Sequence, residues 1–217
     1  MIEKNLTSTT QLDIIYKSVF RNSTKQTGFY YQDFGTKMDS KTFRQKMVEL
    51  KNGLSKICNI RINKRPNYQG LGRFNQQHSS RLHRDSAQEH TFLMLGYEPT
   101  KVQSKVFIAD YTKYIENHNL SIAAFFGGVQ DVNTIENDSL LDSYITELKP
   151  FPKNHYRLVI LNNSKSFKEK TFGVFHRGEI LKKIKSGNRV LNYMMLRLGD
   201  ENVEEQYDKQ AIVFYKY

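Results

Sequence analysis

Apolar positions recur at helical spacing twice near the start of the chain. Leu12, Ile15, Tyr16, Val19 and Phe20 fall on one face of a segment that Thr9 or Thr10 can cap. Phe43, Met47, Leu50, Leu54 and Ile57 do the same in a second segment, with Asp39 or Ser40 as its cap. Both patterns predict amphipathic helices that buttress a sheet. After Pro66 the pattern shortens. Strand-like segments are expected over 72–85, 90–95, 105–108, 156–161, 172–175, 189–198 and 211–217, many of them separated by Gly and Asn. Helical interruptions are expected over 111–118 and 140–148. Helices first and strands afterwards imply an α+β chain, mainly β, with a sandwich or barrel as its body. No repeat, low-complexity tract or linker interrupts it. Residues 1–217 are therefore expected to form one domain, with a helical start over 1–65 and a β body over 66–217.

Composition narrows the class. An apolar content of 38% and an aromatic content of 12% exclude a disordered chain. The 33 Lys and Arg outweigh 22 Asp and Glu, leaving +11, which suits anionic partners without choosing among nucleic acid, lipid and small acid. No run approaches the ~20 apolar residues of a membrane span. The start lacks the charged and apolar regions of a signal peptide, so a cytoplasmic protein is expected. Cys58 is the only cysteine, which excludes an intramolecular disulfide and any multi-cysteine metal site. A metal must be held by His and carboxylate. Cys58 itself reads as a buried small hydrophobe.

Three triplets invite a phosphate-chemistry reading and fail it. His83-Arg84-Asp85 and Asp33-Phe34-Gly35 mimic two protein-kinase triplets, but in reversed order. Position 90 is His where a kinase has Asn, and there is no glycine-rich phosphate loop. Gly70-Leu71-Gly72 precedes strand-like sequence rather than a helix, so it makes no phosphate cradle. Asp33-Phe34-Gly35 and Gly70-Leu71-Gly72 are both read as turns.

His83-x-Asp85 carries more. On a strand, residues i and i+2 share a face, so an imidazole and a carboxylate converge on one point. His176, at the end of a later apolar segment, is the best third ligand. Two His and one carboxylate form the facial triad of non-haem Fe(II) oxygenases, with three coordination positions left open. Gly187-Asn188-Arg189-Val190-Leu191 follows, with Arg189 thirteen residues beyond His176.

This order of His-x-Asp, distal His and Arg resembles the Fe(II)/2-oxoglutarate-dependent oxygenase superfamily, over about residues 68–198. The resemblance implies a double-stranded β-helix, or jelly roll, with N-terminal buttressing helices. It implies Fe(II) at His83, Asp85 and His176, with O2 and 2-oxoglutarate as cosubstrates. It also implies that Arg189 grips the distal carboxylate, a task that suits a bidentate guanidinium. Retention of Asp85 favours hydroxylation over halogenation.

Strand parity extends the site. Arg73, Asn75, Gln77, Ser79, Arg81, His83 and Asp85 share one parity, so Arg73 and Arg81 are candidate substrate-binding residues, while Phe74 and Leu82 would pack beneath the helices. Beyond Arg189 the same parity selects Arg197 as a further candidate. The expected substrate is a small polar metabolite, anionic or zwitterionic, such as an amino acid or a natural-product intermediate. Two alternatives stand beside it: a nucleic-acid- or protein-directed oxygenase, drawing on the +11 charge, and a non-enzymatic basic jelly-roll binding module.

Overall fold

The computed structural model describes residues 8–85, 90–127, 133–135, 138–164, 172–200 and 205–213. The chain opens with α1 (Thr9–Val19), β1 (Phe29–Gly35) and α2 (Ser40–Ile62). Ser8, rather than Thr9 or Thr10, caps α1 by accepting from the Gln11 amide. Asp39 caps α2 through Thr42, and Asn63 ends it in the left-handed region, where Asn is tolerated. Then come β2 (Arg65–Asn75), β3 (Thr91–Tyr97), β4 (Gln103–Ala109), α3 (Tyr111–Asn117) and α4 (Ile122–Phe125). A 3-10 helix (Asp138–Tyr144) leads into β5 (Ile145–Glu147), β6 (Tyr156–Asn162), β7 (Phe175–Lys182), β8 (Val190–Gly199) and α5 (Glu205–Val213).

The strands form two antiparallel sheets. The larger has the order β1-β6-β3-β8-β2 and the smaller β5-β4-β7. One face of the large sheet presents Phe92, Met94, Leu158, Ile160, Met194 and Leu196 to α1 and α2, which bury Ile15, Val19, Phe43, Met47 and Leu50 against it. The opposite face presents Leu93, Leu95, Tyr97, Val159, Leu161 and Leu191, packed with Val106 and Ile108 of the small sheet. β3 and β6 are covered on both faces and buried at every position, so their sequences read as continuous apolar runs rather than alternating ones. A third cluster, with Leu82, Ala109, Tyr111 and Phe175, packs where β4 leads into α3 and β7 begins.

The class is α+β, but helix and strand are about equal in extent rather than mainly β. Strands are not confined to the second part. β1 lies between the first two helices and pairs with β6, so Asp33-Phe34-Gly35 belongs to a strand. Its turn chemistry is local: Asp33 Oδ1 accepts from the Gly35 amide at 2.7 Å, the register shifts there, and Gly35 has φ +71°. Gly70-Leu71-Gly72 also lies within a strand, opposite Met195, Met194 and Tyr193 of β8. The strand expected over 72–85 ends at Asn75, and the one expected over 172–175 begins at Phe175 and runs to Lys182. The helix expected over 140–148 is a 3-10 turn followed by β5. Of the strand expected over 211–217, residues 211–213 are helical, and the remainder lies outside the described residues.

Candidate metal centre

The site begins with two backbones. The segment around residues 79–83 runs antiparallel along the edge of β7, joined to it by an isolated bridge at His83 and His176. The Ser80 amide donates to Gly178 O at 2.9 Å. His83 and His176 exchange both backbone hydrogen bonds, at 3.0 and 2.8 Å. A pair bonded in this way puts both side chains on one face, and the two imidazole rings lie 4.2 Å apart, centroid to centroid. Asp85 is fixed from a different direction. Asn163, fully buried after the end of β6, accepts from the Asp85 amide at 3.1 Å and donates to the Asp85 carbonyl at 3.2 Å. An Asn side chain thus imitates a strand neighbour where the ladder has stopped.

The result is that His83, Asp85 and His176 offer ligand atoms that all lie within 4.8 Å of one another. The His83 Nδ1 donates to Arg81 O at 2.8 Å, which leaves Nε2, 3.5 Å from Asp85 Oδ1, as the free nitrogen. A backbone carbonyl on the far nitrogen is the usual way to orient a metal-binding imidazole. Burial opposes charge on both members of this pair, but their mutual attraction prevails. The His83 pKa is raised, and the Asp85 carboxyl is held below its ordinary value by His83 and His176. His176 behaves differently. Burial, reinforced by the neighbouring His83, pushes it down to about 4, so its ring is neutral. Its Nδ1 is buried without a hydrogen-bond partner. A neutral, partly unsatisfied imidazole beside a carboxylate suits a borderline divalent cation such as Fe(II), Zn(II) or Ni(II).

Arg189 enters the same space between the sheets. It is 2% exposed. Its Nε donates to Ser104 Oγ at 3.1 Å and its Nη1 to Gln76 O at 3.2 Å, while its Cζ stands 5.0 Å from the Tyr97 ring centroid. A Cβ built on Gly178 would lie 3.8 Å from its Nη2, so the guanidinium passes over β7 two residues from His176. Tyr97 and Tyr193 join the two ends. Both hydroxyls are pushed up, chiefly by burial, and both also feel the Asp85 charge.

The three other arginines do not join this group. Arg73 faces the helical layer, where its Nε and Nη2 hold both oxygens of Glu98 at 3.2 and 3.1 Å. Ser40 and Arg44 of α2 reach the same carboxylate. Parity counted back from His83 placed Arg73 on the wrong face because β2 stops at Asn75 and the chain between is not a strand. Phe74, expected beneath the helices, instead packs edge-on against Tyr193. Arg81 contributes its carbonyl to the site, but its side chain is exposed. Arg197 is exposed too. Sequence reasoning missed Asn163, Tyr97 and Arg157. The signal for the last was available: a lone Arg inside the apolar run Tyr156–Asn162.

No known family model matches the chain, and no curated protein sequence matches it.

Proposed function

We propose that this chain is an Fe(II)/2-oxoglutarate-dependent dioxygenase on a double-stranded β-helix, oxidising a small polar metabolite. The observation that carries the reading is the His83, Asp85 and His176 cluster with a buried guanidinium close by. Two residues along β7 separate His176 from Gly178, beneath Arg189, a step of about 7 Å. That span suits a five-carbon dicarboxylate with one end at the metal and the other at Arg189. The strand order supports the jelly roll. From β2 onward, the segment at 79–83 joins β7, β3 joins β8 and β6, and β4 and β5 join the small sheet, so the chain moves back and forth between two sheets as in paired Greek keys.

Fe(II) bound there would supply the oxidative decarboxylation of 2-oxoglutarate to succinate and CO2, with the second oxygen atom entering the substrate. The chain's own residues hold and orient. The backbone pairing sets the separation of the two imidazoles, Asn163 sets the carboxylate, and Arg189 fixes the direction of the dicarboxylate. The apolar walls of Leu93, Val106 and Leu161 limit water around it.

The test is anaerobic Fe(II) titration followed by succinate assay. One metal per chain is expected, and Arg189→Ala is expected to raise the KM for 2-oxoglutarate by roughly 30-fold to several thousand-fold, with metal affinity kept. No succinate under any condition would leave the chain a basic binding module. The +11 charge supports a second reading, an oxygenase directed at nucleic acid. In that case methylated oligonucleotides stimulate succinate release with formaldehyde as co-product, and binding weakens steeply with salt.

A further inference from the structure

The inner face of the large sheet holds two buried guanidiniums. Arg189 is one. The other is Arg157, 1% exposed, directly opposite Tyr97 on the neighbouring strand. Tyr97 is opposed on its other side by Leu191, two residues after Arg189. Both cations therefore pack against the one Tyr97 ring, with the Arg157 Cζ at 5.7 Å from its centroid and the Arg189 Cζ at 5.0 Å. Arg157 donates from Nε to His155 O at 3.0 Å and from Nη2 to Glu98 O at 3.2 Å. Its Nη1 is buried and has no hydrogen-bond partner.

Among the described residues neither guanidinium is paired with a carboxylate; their acceptors are carbonyls, a hydroxyl and an amide oxygen. Taking a cation out of water without a counter-charge is costly, and a second cation nearby adds repulsion. Burial pushes the Arg157 pKa down to about 10, and the Arg189 charge acts in the same direction; the opposing pull of Asp33, its register partner on β1, is smaller, and that carboxylate is bonded to His155. Aromatic faces at Phe151, 4.3 Å from Cζ, and Tyr97 return only part of that cost. An anion entering between the sheets would return the rest.

We infer that Arg157 is a second anion anchor, whose free Nη1 acts with the Arg189 fork to hold the distal carboxylate of a small dicarboxylic acid beside Tyr97. The inference rests on the reading of the Arg189 pocket as the 2-oxoglutarate seat. It adds that two guanidiniums grip the carboxylate, so a dicarboxylate lacking the keto group binds without metal. A role as a mere strut stacked on Phe151 makes neither demand.

Glutarate, titrated calorimetrically into metal-free protein, is the probe. Wild type is expected to bind it, and Arg157→Met is expected to weaken binding at least thirtyfold while Zn(II) affinity stays the same. In wild-type protein labelled with 15N-arginine, the side-chain signal of Arg157, identified through its contact with the Phe151 ring, is expected to shift on glutarate addition. This second measurement needs no variant. Equal glutarate affinity in wild type and Arg157→Met, or an unmoved Arg157 signal in the glutarate-bound protein, overturns the inference and leaves the Arg189 reading standing. Failure of wild type to bind glutarate, alongside Fe(II)-dependent turnover of 2-oxoglutarate, overturns this inference alone. Failure of both overturns the two together.

Discussion

The two faces of the large sheet treat buried arginine in opposite ways. On the helical face, Arg73 and Arg44 surround Glu98, whose remaining capacity is taken by Ser40 and Asn192. Near the end of α1, Arg21 likewise meets both oxygens of Asp110 at 2.6 and 2.8 Å, and also the carbonyls of Phe172 and Gln26. These clusters are closed: each buried cation has its anion within the fold. On the inner face, Arg157 and Arg189 meet carbonyls, a hydroxyl and aromatic rings, and beside them His176 keeps an unsatisfied nitrogen. A closed cluster joins layers of structure. An open one, as we propose for the inner face, leaves buried donors for something from outside.

The sharpest way to break this contrast is at the proposed metal ligands. Asp85→Ala and His176→Ala are each expected to weaken Fe(II) or Zn(II) binding by well over a hundredfold, beyond what losing an outer hydrogen-bond partner costs. Wild-type affinity in either variant would remove the open cluster from consideration. The reverse experiment is Glu98→Ala. It strands the buried Arg44 and the half-buried Arg73 and is expected to cost about 3–5 kcal/mol in urea unfolding while metal affinity stays unchanged. A comparable loss of metal binding would mean that the faces are not independent.

Acid is expected to act next in size. His176 titrates at about 4 when folded, against an ordinary value of 6.5. Its contribution is complete above 6.5 and is lost as pH falls towards 4, by at most about 3 kcal/mol. His83, whose folded pKa is raised, has the opposite sign: its contribution is present below 6.5 and lost as pH rises through the folded value. Unfolding midpoints of the metal-free protein between pH 7 and 4.5 check this, and His176→Gln is expected to flatten the acid limb. The smallest effects belong to the exposed arginines. Arg81→Ala and Arg197→Ala are expected to shift stability by no more than about 0.5 kcal/mol and to leave the KM for 2-oxoglutarate unchanged. A raised KM in either variant would restore it to the site.

The proximity of His83, Asp85, His176 and Arg189 was legible because it depends on spacing and residue type, which the chain states openly. The neighbours of those residues were harder to see. Parity is a rule about uninterrupted strands, and between Arg73 and His83 the strand ends. Asn163 reads as turn material in sequence, since nothing local reveals that its amide will stand in for a missing strand. β1 was hidden because Gln32, Asp33 and Gly35 interrupt its aromatic residues and its partner lies far downstream in β6. The helix at Glu205–Val213 replaced part of an expected strand because a short apolar and aromatic stretch fits either state until packing decides.

The mutual backbone bonds between His83 and His176 also bear on how the centre comes to exist. The two residues lie roughly ninety positions apart, and joining segments so distant spends chain entropy before the contact returns anything. An ion offered to the nascent polypeptide meets scattered imidazoles rather than a chelate. Loading of the proposed ion would then follow folding. Such an ion would deepen the native well by mass action and slow escape from it, but would leave the ascent from the unfolded ensemble as the bare chain sets it.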